Sequence, residues 1–171
     1  EGTAKSPHPP PLLAVWPRRP SNSGRPAEAG AAAEKAIAVN PKVEGGYALL
    51  ATSLAATGQW GQVASALERG AAAGADASLL AKIALKLGND SYRAGNASKN
   101  RADFQRAVTL LRLSDRLDGS ASAKFLIGAS SFSIGQSAIN EAQETKSCAP
   151  ARLTKEAFGT AQEKVPAGLK D

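Results

Sequence analysis

Residues 44–77 read EGGYALLATSLAATGQWGQVASALERGAAAGADA. Tyr47, Leu50, Ala51 and Leu54 recur at spacings of three and four, the period of an α-helix viewed from its buried side. Gly58 ends that run, because glycine readily enters the left-handed conformation that closes a helix. Trp60, Val63, Ala64, Leu67 and Ala71 repeat the spacing, and Gly74 ends it again. The pattern predicts helices over 44–57 and 60–73 joined by a short turn.

The same reading extends in both directions. Residues 27–39 (AEAGAAAEKAIAV) form a strong helix by propensity, with Pro26 suited to its first turn and Asn40-Pro41 stopping it. A helix is expected over 78–94, closed by Gly95, and a polar loop from Asn96 to Asn100. Phe104, Ala107, Leu111 and Asp115 then mark another helical face. A further pair is expected over 121–134 and 136–148, with Gly135 between them. A last helix near 151–164 carries Leu153, Ala157, Phe158 and Ala161, with Pro150 kinking or looping the junction before it. No stretch alternates with period two, so the fold class is all-α.

Composition narrows the function classes. A chain of 171 residues has room for one modest core. Its 36 alanines and 5% aromatic content suit closely packed helices, not a β-sandwich. A single cysteine, Cys148, excludes an internal disulfide framework and a thiolate metal cage, and is expected to be a small buried side chain. The single histidine, His8, leaves no second imidazole for a triad or a metal pair, and no apolar run reaches the ~18 residues that span a bilayer. No cofactor, metal or catalytic residue is therefore expected, and no enzyme activity. Seven of the ten prolines fall in residues 1–26, where a polyproline-like or disordered segment is expected. Leu12 to Trp16 is too short for a signal-peptide core. The chain lacks methionine, so Glu1 is expected to be a processed end or a fragment boundary. The sequence leaves bacterial cytoplasm and periplasm equally open.

Gly24, Gly58, Gly95 and Gly135 are spaced 34, 37 and 40 residues apart, each before an expected second helix. In this register the chain resembles the tetratricopeptide repeat family. Tyr47, Leu50, Ala51, Leu54, Trp60, Val63 and Leu67 fall on the family's signature positions. Ala29, Ala33, Ala36 and Pro41 fit a second helix one repeat earlier, and Leu87, Gly88, Phe104, Ala107 and Leu111 fit one repeat later. Ile127 and Gly128 fit a fourth, although Asn140 and Glu144 stand where small or apolar residues are usual. The third repeat's length and Lys146-Ser147-Cys148 are similar to bacterial members. The resemblance implies a right-handed α-solenoid of stacked helix-turn-helix hairpins with a C-terminal capping helix. Its segments would be a Pro-rich 1–26, a repeat domain over 27–148 (half repeat 27–43, repeats 44–80, 81–120 and 121–148), and a cap and tail over 149–171. The prolines of 10–23 leave the first repeat without its first helix, and so leave an apolar edge.

Lys82, Lys86, Asn89 and Arg93 lie at i, i+4, i+7 and i+11 and so share one stripe of one helix. The resemblance places that stripe on the concave groove, at positions where some members clamp a partner's C-terminal carboxylate. Tyr92, Phe125 and Phe132 map to the same groove, or to packing between repeats. The implied site is a peptide-binding face of Lys82, Lys86, Asn89, Tyr92, Arg93 and Phe125, taking a protein or peptide with an acidic side chain or free C-terminal carboxylate. A merely solvated basic face is the competing reading. Residues 82–124 hold nine Lys or Arg against four Asp or Glu, while 28–81 hold three against five. An RNA-binding helical repeat using the basic 82–124 face is thus an alternative, as is the non-catalytic part of a larger enzyme. Trp60 is expected in the core. Asn89-Asp90-Ser91 and Asn96-Ala97-Ser98 match a glycosylation acceptor pattern.

Overall fold

The computed structural model describes residues 25–145 and 155–160. Its elements are α1 (Arg25–Val39), α2 (Glu44–Ala56), α3 (Trp60–Ala72), α4 (Ala77–Ser98), α5 (Arg101–Asp118) and α6 (Ala121–Thr145), followed by a short helix α7 over 155–160. Every regular element among the described residues is helical, as the spacing of apolar residues predicts. The proline-rich stretch up to residue 24, Cys148, Pro150 and both flanks of the expected 151–164 helix lie outside the described residues.

Three turns close as their glycines require. Gly58 has φ +78° and Gly74 φ +82°, a region open to glycine without steric cost. At each, two backbone bonds wrap the helix end: Gln59 N to Leu54 O (2.8 Å) with Gly58 N to Ala55 O (3.1 Å), then Ala75 N to Gly70 O (3.0 Å) with Gly74 N to Ala71 O (3.1 Å). Gly119 closes α5 through one bond, to Asp115 O at 2.8 Å.

Gly95 and Gly135 depart from expectation. Neither ends a helix: α4 continues to Ser98, and α6 runs unbroken where two helices were expected. Their missing side chains serve packing instead. A Cβ on Gly95 would lie 2.9 Å from the Phe104 ring, and one on Gly135 would lie 3.0 Å from Phe158. The α4–α5 turn is consequently only two residues, Lys99 and Asn100, instead of the expected loop from Asn96. Lys99 takes the left-handed conformation, φ 56°. Asn100 Oδ1 accepts from Ala102 N at 2.9 Å, and Ser98 Oγ donates to Asp103 at 2.9 Å while accepting from Asn100 N at 3.1 Å.

The helices pack in chain order. Each of α1 to α6 meets its neighbour in sequence, and α2–α4, α3–α5 and α4–α6 also touch. The α4–α5 hairpin is antiparallel and close, since Gly88 admits Leu111 and Gly95 admits Phe104. One core joins Ile37, Tyr47, Leu50, Val63, Leu67, Leu80 and Leu87 to Leu110 and Leu113. A smaller one holds Ala107, Leu111, Ala123 and Ile127, with Leu85, Tyr92 and Leu126 packed on it. Trp60 is partly buried against the first core, and the Arg106 guanidinium lies 5.2 Å from its ring centre. Arg106 is held in turn by an ion pair with the buried Asp103. Where α7 begins, Ala157 is buried and Phe158 meets Phe132 edge-on, with ring centres 5.5 Å apart.

Candidate functional site

Asp76 caps α4 by accepting from Ser78 N at 2.8 Å, which starts a helix of 22 residues along which the predicted stripe keeps its register. Lys82, Lys86 and Asn89 come together on one wall of a recess of about 350 Å³. Leu85 joins them from α4, and Ser122 and Leu126 form the opposite wall from α6. Residues 82–89 face 122 and 126, and residues 96–99 face 132–141. The two helices therefore run in the same direction, with a seam between them.

The recess has a basic rim, an amide, a hydroxyl and an aliphatic floor. Lys82 is exposed and makes no ion pair among the described residues; Lys86 meets Asp90 at 3.3 Å with its side chain 73% exposed. An exposed i,i+4 pair of this kind is worth ~0.3–0.5 kcal/mol, so Lys86 is easily drawn to another anion. Such an arrangement suits a carboxylate carried on a short apolar group. Oxygens would meet the ammonium groups, Asn89 and Ser122, and carbon would meet Leu85 and Leu126.

The remaining predicted residues are placed differently. Tyr92 is partly buried, its ring edge-on to Phe104 with centres 6.0 Å apart, so it belongs to the packing between α4, α5 and α6. Arg93 is exposed on α4. Phe125 is 51% exposed, beside the recess but not among the residues that line it. Ser122 and Leu126, which do line it, carry no sequence signal of their own. Both acceptor patterns for glycosylation lie within α4, and Ser91 is buried, so neither presents an extended chain.

Among the described residues, five of the nine cations in 82–124 are matched by carboxylates. Besides Lys86, Arg101 pairs with Glu141, Arg106 with Asp103, Arg116 with Glu68 at 2.5 Å, and Lys124 with Asp115 at 3.8 Å. Among the described residues no helix is long and apolar enough to cross a membrane, and no group of three His, Cys, Asp or Glu side chains is placed to hold a metal. No family model, curated protein or solved structure matches the chain.

Proposed function

We propose that the chain is a non-catalytic protein-interaction module, a scaffold of stacked helical hairpins in the manner of tetratricopeptide repeats, with α7 as its cap. The α4–α6 seam is its groove, and it takes a peptide segment ending in, or presenting, a carboxylate. The observation that carries this reading is the convergence of Lys82, Lys86 and Asn89 with Ser122 around the Leu85–Leu126 floor. Few groups contribute, and the rim is solvated, so affinity is micromolar, roughly −8 kcal/mol. Electrostatics here speeds encounter more than it tightens the complex.

The chain's antiparallel hairpins and chain-order packing support the stacked arrangement. An RNA-binding surface on 82–124 has less behind it, because Arg101, Arg106, Arg116 and Lys124 of that face have carboxylate partners on other turns or helices. The experiment is the double substitution Lys82→Ala with Lys86→Ala, titrated against peptides with free and amidated C-termini. The free-carboxylate peptides lose binding, the amidated ones are weak from the start, and circular dichroism is unchanged. Undiminished binding with an intact helical spectrum rejects the seam as the site.

A further inference from the structure

A second recess opens farther along the same seam. It holds about 630 Å³ between Asn96 and Lys99 of α4, Phe104 of α5, and Phe132, Gln136 and Asn140 of α6. It exists because α6 does not turn at Gly135. The helix runs on to Thr145, past the level at which α4 ends, and an ion pair between Arg101 and Glu141 ties the overhang to α5.

The chemistry of its walls differs from that of the first recess. Asn96, Gln136 and Asn140 are exposed carboxamides whose side chains have no hydrogen-bond partner among the described residues. Phe132 is 49% exposed. The Arg101–Glu141 pair cancels its own charge, which leaves Lys99 as the wall's one uncompensated cation among the described residues. Neutral donors and acceptors beside an aromatic ring suit neutral amides and an apolar side chain, not an anion.

Spacing narrows the ligand further. Gln136 and Asn140 are one helical turn apart on one face, a rise of ~6 Å. Alternate residues of an extended chain are ~6.6 Å apart and present their main-chain groups to the same edge. Each carboxamide offers one donor and one acceptor side, so the pair matches two alternate peptide units. Along α4, Lys82 and Asn96 are separated by a rise of ~21 Å, the length of six or seven extended residues. Tyr92 lies between them on the same helix, packed with Leu85 and Leu126.

We propose that the recess under the α6 overhang is the far end of a two-part peptide site. An extended segment lies along the α4–α6 seam with its carboxyl end at Lys82 and Lys86. Its main chain, about six residues upstream, pairs with Gln136 and Asn140, and an apolar side chain rests on Phe132. This rests on the reading that the seam binds a carboxylate-bearing peptide, and adds a second anchor that reads main chain and length.

The test uses the full chain and two pools of N-terminally labelled peptides, four and nine residues long, each ending in an aliphatic residue with a free carboxylate. Nonapeptides bind about tenfold more tightly than tetrapeptides, as two net hydrogen bonds allow. Gln136→Ala with Asn140→Ala removes that advantage and leaves tetrapeptide affinity unchanged. N-methylation of the upstream amides has the same effect on the intact chain. A length advantage that survives the double substitution, or nonapeptides no tighter than tetrapeptides, overturns the second anchor while the carboxylate site stands. Failure of both pools to bind, or equal binding of their amidated forms, overturns the carboxylate reading and this one with it.

Discussion

The α2–α3 hairpin turns on Gly58 at φ +78°, whereas the α4–α5 hairpin turns on Lys99 at φ 56°. In the first, one glycine makes the turn and another, Gly70, admits the Tyr47 ring. In the second, both Gly88 and Gly95 are used for packing against Leu111 and Phe104, and none is left for the turn. A lysine in the left-handed region costs ~1–2 kcal/mol relative to a right-handed residue. Side chains offset it, through the Asn100 cap and the Ser98–Asp103 bond. A glycine is thus a property of what lies opposite as much as of the backbone that contains it. The same letter stops a helix where the next residue must reverse, and continues one where a ring or a leucine approaches.

The contrast breaks most visibly at Gly95. Valine there places a branched side chain against a Phe104 ring that is only 3% exposed and has nowhere to go. Gly95→Val should lose ~3 kcal/mol in a urea titration read at constant slope, despite the better helix propensity of valine over glycine. Gly58→Ala, where nothing lies within 4 Å of the added carbon, should lose only the conformational ~1–2 kcal/mol. Equal losses at the two sites would reject the distinction between a packing glycine and a turning one.

The next effect is smaller and specific to the second hairpin. Asn100→Ala removes the acceptor for Ala102 N and should lower stability by ~1 kcal/mol. Lys99→Gly should return a similar amount by relieving the left-handed lysine. Thermal melts of the two single variants and of the double variant decide it. A double variant as unstable as Asn100→Ala alone would show that Lys99 carries no strain.

The smallest effect has the opposite sign. Ser91, Ser114 and Ser130, one each in α4, α5 and α6, are buried, and among the described residues their hydroxyls have no hydrogen-bond partner. Ser114 is 1% exposed. Replacing a partnerless buried hydroxyl by a methyl group removes its desolvation penalty, so Ser114→Ala should gain up to ~1 kcal/mol in urea. A loss of stability on that change would mean that the hydroxyl is satisfied in solution.

These differences explain what the sequence disclosed. Helix identity was legible throughout because the apolar spacing is strong. Boundaries were legible in α1, which Asn40-Pro41 stops, and in α2 and α3, where glycines coincide with turns. They were misplaced at Gly95 and Gly135, where the deciding partners, Phe104 and Phe158, are brought in by tertiary packing. A local signal did exist for the true turn: asparagine followed three residues later by aspartate, at Asn100 and Asp103, is how a helix start often reads. At the site, the Lys82–Lys86–Asn89 stripe was legible because it depends on one helix alone. Ser122 and Leu126 were not, since their place opposite α4 depends on how two helices are offset. Tyr92 had two readings, and its contact with Phe104 chose the packing one.

Packing in chain order also has a kinetic side. Helices that meet only those one or two places along the chain form their contacts across short loops, so little chain entropy must be surrendered before each contact is made. Folding is then fast for a protein of this length, and among the described helices no remote pairing is made. Opening begins at α1, which has neighbours on one side only among the described helices. Helix α4, which touches α2, α3, α5 and α6, unravels last. Amide hydrogens in the middle of α4, around Ala84 to Leu87, therefore exchange most slowly, and the wall that carries Lys82, Lys86 and Asn89 stays formed while the ends of the array are still opening and closing.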